Sequence, residues 1–132
     1  MNNSDANPEF AGEWFAIAER DLERARKRCD EGDWEDAGFR IQQAIEKFLK
    51  GFLAARGAAL RFTHDLDDLL DDVCEVDATF VEFREPCQII TSYYMWDRYP
   101  HIHDQPLTES EANEALIWAE KIADRVKSMR PQ

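Results

Sequence analysis

The sequence predicts an all-α protein, an up-and-down bundle of four to five helices. Three observations lead there. Apolar residues recur at steps of three and four through most of the chain, which is the period of one helix face. Residues that begin or end helices stand at the edges of these runs. No segment shows the sustained period-two alternation of a half-buried strand. The connections are short, which favours antiparallel neighbours.

The first helix opens at Asn7-Pro8, since Asn is a strong N-cap and Pro is tolerated at the first helical position. Trp14, Ala18, Leu22, Ala25 and Cys29 form its apolar face, with Glu19, Arg20, Glu23, Arg24 and Lys27 opposite. Glu31-Gly32-Asp33 breaks it, and Asp33 is placed to cap a second helix over 34–56, with Gly57 beyond its end. Ile41, Ile45, Phe48 and Phe52, flanked by Ala37, Ala44 and Leu49, give this helix a face broad enough for several neighbours. Glu46 and Lys50 lie four apart on it, as a surface pair worth a few tenths of a kcal/mol, about 0.3, or with the glutamate facing inward to anchor a neighbouring backbone or the Arg98-Tyr99-Pro100 turn.

Thr63 is the expected N-cap of a short third helix built on Leu66, Leu69, Leu70 and Val73. Its other face, from Asp65 to Asp77, is acidic without one Lys or Arg. Asp77 is expected to cap the fourth helix, whose stripe is Phe80, Phe83, Cys87, Ile90 and Tyr94, with Ile89, Tyr93 and Trp96 alongside. Pro86 inside this pattern either kinks the helix or splits off a first segment. Tyr99-Pro100 ends it and a loop runs to Leu107. Thr108 with Glu111 three residues on is a capping-box signature for the last helix, lined by Ala112, Ala115, Leu116, Ala119, Ile122, Ala123 and Val126.

A chain of 132 residues with 44% apolar residues suits one domain, expected over 8–130 after a short tail at 1–7. No apolar run reaches the roughly 20 residues of a membrane span, and the first residues lack the pattern of a secretory signal. Cys29, Cys74 and Cys87 are widely spaced and fit no CxxC pattern; they read as reduced, largely buried thiols in a cytoplasmic protein. The net charge of −12 opposes non-specific nucleic-acid binding, so any RNA contact is expected at a small local site or across an oligomer.

The stretch TSYYMWDRYPHIHD, Thr91 to Asp104, crowds all three Tyr, two of the three His and Arg98 together. His64-Asp65 offers a second imidazole–carboxylate arrangement, set against Thr63 capping the helix with Asp65 favouring its positive end. Other chemistries find little support. Asp67-Asp68-Leu69-Leu70-Asp71-Asp72 is a single acidic run and reads as a solvated face. His101-Ile102-His103 supplies two imidazoles without a third ligand, and no Glu-x-x-His or Gly-rich phosphate loop occurs. No metal or cofactor is expected.

Four segments in order resemble the HEPN family of small helical domains. These are Trp14, Ala18, Asp21-Leu22 and Ala25; Gln43-Ala44-Ile45-Glu46-Lys47-Phe48-Leu49-Lys50; Thr63-His64-Asp65-Leu66; and Arg98-Tyr99-Pro100 before an Ala-rich helix. The resemblance implies a homodimer formed near the Arg-Tyr-Pro turn and a minimal nucleotidyltransferase as partner in a toxin–antitoxin pair. In a subset of the family it implies a metal-independent endoribonuclease whose motif is Arg, four to six residues, then His. Arg98 and His103, with four residues between them, meet that motif, although His103-Asp104-Gln105 stands where many such members have His-x-Tyr.

Histidine suits proton abstraction from a 2′-hydroxyl, and guanidinium suits the charge of the phosphorane. Tyr94, Tyr99 and His101 are the expected substrate contacts, and Tyr93, Tyr94 or Trp96 offers a ring for a base. The competing reading is a non-catalytic nucleotide-binding or protein-interaction module. In it Arg98 pairs with Asp97 or Asp104 and the histidines are exposed on a loop.

Overall fold

The computed structural model describes residues 8–95 and 106–129. A 3₁₀ turn at Pro8–Phe10 leads into α1, Ala11–Asp30; α2 is Trp34–Ala55, α3 Leu66–Val76, α4 Arg84–Ile90 and α5 Glu109–Ser128. Two further 3₁₀ segments, Ala78–Phe83 and Thr91–Met95, flank α4. Among the described residues there is no strand, as expected for an all-α bundle.

Local chemistry accounts for the boundaries. Gly32 adopts φ 75°, the left-handed conformation that costs glycine no Cβ clash, and reverses the chain between α1 and α2. The Asp33 side chain then accepts from the Asp36 N–H to cap α2. The α3 cap corrects the sequence expectation. Thr63 Oγ1 accepts from the Asp65 N–H at 3.0 Å, and Asp65 itself caps by accepting from Asp67 and Asp68. Thr63 therefore makes the turn that positions the true cap. Asp77 caps the 3₁₀ segment rather than α4, accepting from the Thr79 N–H. Pro86 splits the predicted fourth helix instead of kinking it. It occupies the third position of α4, where a missing N–H breaks no intrahelical bond. The Thr108–Glu111 capping box is complete, with both reciprocal hydrogen bonds formed. Asn7 and Tyr99-Pro100 lie outside the described residues.

Helix α2 is central, packing on α1, α3, α5 and the Thr91–Met95 segment. Phe15 meets Gly51 and Arg28 pairs with Asp36, so α1 and α2 run antiparallel. Arg26 pairs with Glu120 and Glu19 with Lys127, which makes α5 antiparallel to α1. Gly51 is needed for this approach: a Cβ there would stand 2.6 Å from the Phe15 ring. The core contains Phe48, Phe52, Phe80 and Phe83, with Leu and Ile from α2 and α3 and the Ala-rich face of α5. The α1 face is wider than the predicted stripe, since Ala11, Phe15 and Asp21 are also buried.

One register change matters for the site. The four-residue step from Ile90 would bury Tyr94, yet Tyr93 is buried and Tyr94 half-buried. The chain turns 3₁₀ at Thr91, and its three-residue period brings Tyr93 inward instead. The acidic face of α3 finds its cations in other elements, Arg84 pairing with Asp67 and Asp71, and Arg61 with Asp72. Cys87 is buried, Cys29 and Cys74 are half-buried, and all three are free thiols. Burial pushes the Cys87 thiol up to about 12.

Candidate functional site

The polar face that interrupts the apolar surface of α2 begins at Gln42 and continues at Glu46 and Lys50, each one helical turn from the last. Gln42 is fully buried and Glu46 is 1% exposed. A carboxylate this deep is sustained only if its lone pairs are occupied. Here they are. Oε1 takes Gln42 Nε2 at 3.3 Å and His64 Nδ1 at 3.0 Å. Oε2 takes the Lys47 ammonium at 3.0 Å and that of Lys50 at 3.1 Å. Burial acts most strongly on Glu46 and pushes its pKa up, but Lys47, the hydrogen bond from His64 and Lys50 together hold it below the usual carboxylate range. The group is thus an ionised acceptor, so His64 Nδ1 must be the donor.

That assignment leaves Nε2 as the ring's second nitrogen, on a side chain 63% exposed. The imidazole is held at one edge and open at the other. Three further contacts fix its loop. Gln42 Nε2 donates to the His64 carbonyl at 2.8 Å, the Leu66 N–H donates to Thr91 Oγ1 at 2.8 Å, and the Tyr94 ring lies 5.7 Å from the His64 ring. Helix α2, the start of α3 and the segment before residue 96 therefore converge here. Lys50 also sits over the Trp14 ring at 5.6 Å, extending the cluster to α1.

Asp21 of α1 is the second buried carboxylate. Burial pushes its pKa above the ordinary value, opposed first by Lys47 and then by Arg40, Arg24 and Arg20. The folded state thus holds this proton more tightly than the unfolded chain. The cost of ionising it appears as pH rises above 3.8 and through the folded value. Asp21→Asn is expected to raise the urea midpoint at pH 7, with the gain vanishing near pH 3; an equal gain at both pH values would contradict this. Nearby, Arg40 Nε makes no hydrogen bond among the described residues but lies 3.6 Å from Asp36 Oδ2, an ion pair without a shared proton.

The structure decides between two pairs of sequence alternatives. His64 pairs with Glu46, eighteen positions away, and not with the adjacent Asp65, whose carboxylate is occupied by helix N–H groups. Glu46–Lys50 is not a surface pair, because Lys50 is only 12% exposed in its side chain. Sequence reasoning misses Gln42 and Lys47 as members of one unit. Their signal is two amides and three charges in the middle of the most apolar helix. Of the expected site residues, Tyr94 borders this cluster; Arg98, Tyr99, His101 and His103 lie outside the described residues, as does Trp96. Among the described residues, no group of three or more His, Cys, Asp or Glu is arranged to hold a metal, and no helix is long and apolar enough to cross a membrane.

Comparison with known proteins agrees with this architecture. The HEPN domain profile matches residues 11–129. The crystal structure of TT1696 from Thermus thermophilus is similar at 34% identity, covering 90% of this chain and 97% of its own, with a TM-score of 0.81. That of ST0689, an archaeal HEPN homologue, is similar at 30% identity over 89% of this chain and 95% of its own, with a TM-score of 0.73. No curated protein sequence matches. With the profile spanning almost all of the bundle, and solved structures of the same fold sharing about a third of its residues, the chain belongs to the HEPN domain family.

Proposed function

We propose that this HEPN-domain protein is the toxin-like partner of a minimal nucleotidyltransferase, and that it cleaves RNA without a metal at a cleft between two copies, using Arg98 and His103. The observation that carries this reading is the Arg98–His103 spacing, in the stretch of sequence between Tyr94, which borders the Glu46–His64 cluster, and the capped start of α5. In this mechanism His103 takes the proton of the 2′-hydroxyl as that oxygen attacks the adjacent phosphorus; the bond from phosphorus to the 5′-oxygen breaks, and that oxygen takes up a proton from water, leaving a 2′,3′-cyclic phosphate and a 5′-hydroxyl. Arg98 binds the equatorial oxygens, whose charge grows in the transition state. A two-fold arrangement doubles both groups and concentrates positive charge on a chain with 28 acidic and 16 basic residues. Tyr94, Tyr99 and His101 contact the RNA on either side of the scissile bond, with Tyr94 offering a ring to a base.

The test is cleavage of a labelled RNA by the purified protein. Arg98→Ala and His103→Ala are each expected to lower the rate by about a hundredfold or more. The thermal midpoint should not move, and EDTA should have no effect. Unchanged cleavage by His103→Ala, or a strict metal requirement, rejects the assignment.

One observation favours a second reading. The most buried cations of the cluster, Lys47 and Lys50, are both engaged by the single Glu46 carboxylate and are turned to it rather than outward to a phosphate backbone. This suits a non-catalytic module binding a nucleotide or a partner chain. Calorimetry with ATP and other nucleotides, on protein that leaves RNA intact, separates the two.

A further inference from the structure

On the side of the bundle formed by α4 and α5 lies an open groove of about 390 Å³. Its floor is apolar, made by Ile89, Ile90, Tyr93 and Trp118 with Ala115. Ile90 and Tyr93 belong to the core, whereas Ile89 is 55% exposed and turned away from it. An isoleucine left in solvent beside a half-buried tryptophan has no packing reason among the described residues. Helix α4 could present a polar residue there at no cost to the fold.

The rim is mainly acidic. Glu82, Glu85, Glu111 and Glu114 surround the floor, and among the described residues no Lys or Arg lines it, although Lys121 stands over the Trp118 ring at 4.6 Å. Glu82 is engaged by Arg125, and Glu111 by the cap of α5. Glu85 and Glu114 make no ion pair among the described residues. The negative field is felt inside the groove. Burial first, and then Glu111 and Glu114, push the Tyr93 hydroxyl up to about 12.

We propose that this groove is the docking seat of a cationic, amphipathic segment of a partner protein, which lays apolar side chains over Ile89 and Trp118 and sets Lys or Arg against Glu85 and Glu114. Charge complementarity selects this occupant. A nucleic acid would bring phosphates to four carboxylates. A second copy, itself at −12, would bring its own glutamate rim against this one across a two-fold axis. The apolar floor adds what a small inorganic cation cannot use, and the pairing is the helix-in-groove or extended-segment mode of peptide recognition. The inference is independent of RNA cleavage, because it uses the face built by α4 and α5 and none of the residues proposed for that reaction.

The test uses fluorescence anisotropy with the intact protein and a short labelled peptide in which Lys and Arg alternate with Leu and Trp at helical spacing. Two control peptides accompany it, one with Glu for the basic residues and one with Ser for the apolar ones. The basic amphipathic peptide alone should bind saturably, and Glu85→Lys with Glu114→Lys should weaken it by about tenfold or more. Ile89→Glu is the deciding variant. It adds a negative charge at a solvent-exposed position, so bare electrostatics would tighten binding, whereas a groove that needs its apolar floor would lose it. Tighter binding by Ile89→Glu, equal binding of the Ser-substituted peptide, or no binding by the wild type would each overturn the proposal. So would a homodimer that dissociates in Ile89→Glu, since a second copy would then be the occupant.

Discussion

Glu46→Ala should lower the unfolding free energy by about 3–5 kcal/mol, the usual cost of removing one partner from a buried charge cluster. The loss comes mainly from what is left behind. Lys47 and Lys50, 15% and 12% exposed in their side chains, would keep their charge without the carboxylate that compensates it. Gln42, fully buried, would lose one acceptor. The comparison variant removes the cations as well. Glu46→Leu with Lys47→Met and Lys50→Met should recover much of the loss, because apolar groups of similar volume replace a buried ion cluster at little cost. Urea denaturation checks both, and a triple variant no more stable than Glu46→Ala would show that the damage is packing rather than uncompensated charge.

The same residue sets an acid dependence whose sign follows from linkage. Glu46 has a folded pKa below the 4.5 of a free glutamate, so near and below that value the unfolded chain binds more protons than the folded one. Its stabilising contribution is complete above pH 4.5 and is lost as pH falls through the folded value. Asp21, shifted the other way, partly offsets this over the acid range. The urea midpoint of Glu46→Gln should therefore change less between pH 6 and pH 3 than that of the wild type.

Phe80→Ala should cost a comparable amount, about 3–5 kcal/mol, through lost transfer energy and the cavity left in the core. Phe80 is fully buried in the 3₁₀ segment between α3 and α4. Its ring lies 4.8 Å from Phe52 of α2 and 5.8 Å from Phe83, and the Arg125 guanidinium of α5 stands over it at 5.5 Å. A short irregular segment thereby ties three elements together, and little can collapse into its place. A loss below about 1.5 kcal/mol in the same urea assay would mean that the 3₁₀ segment repacks.

These two residues show where the sequence was legible. Phe80 stood out, since its stripe with Phe83, Cys87 and Ile90 depends on neighbours within a turn or two. Glu46 and His64 were each visible, one in an amphipathic helix and one in a Thr-His-Asp-Leu start. Their pairing was not, because the adjacent Asp65 offered a carboxylate at no distance in sequence. Only the cap geometry removes that option, by committing Asp65 to helix N–H groups. The exchange of Tyr93 for Tyr94 has a similar origin, a change from α to 3₁₀ period that residue type does not announce.

By itself the sequence determined the all-α class, the order of five helices, the reversal at Gly32, the Thr108–Glu111 capping box, and the Arg98–His103 spacing on which the proposed chemistry rests. Those features are written in hydrogen bonds and periodicities spanning a few residues. Only the tertiary structure decided that Glu46 is an ionised, buried hub holding His64 by one edge, that Asp21 is buried beside Lys47, and that four glutamates ring an apolar groove. The physical reason is range. A buried charge is defined by whatever the rest of the chain brings within about 3 to 4 Å of it, and that is known only once the helices have packed.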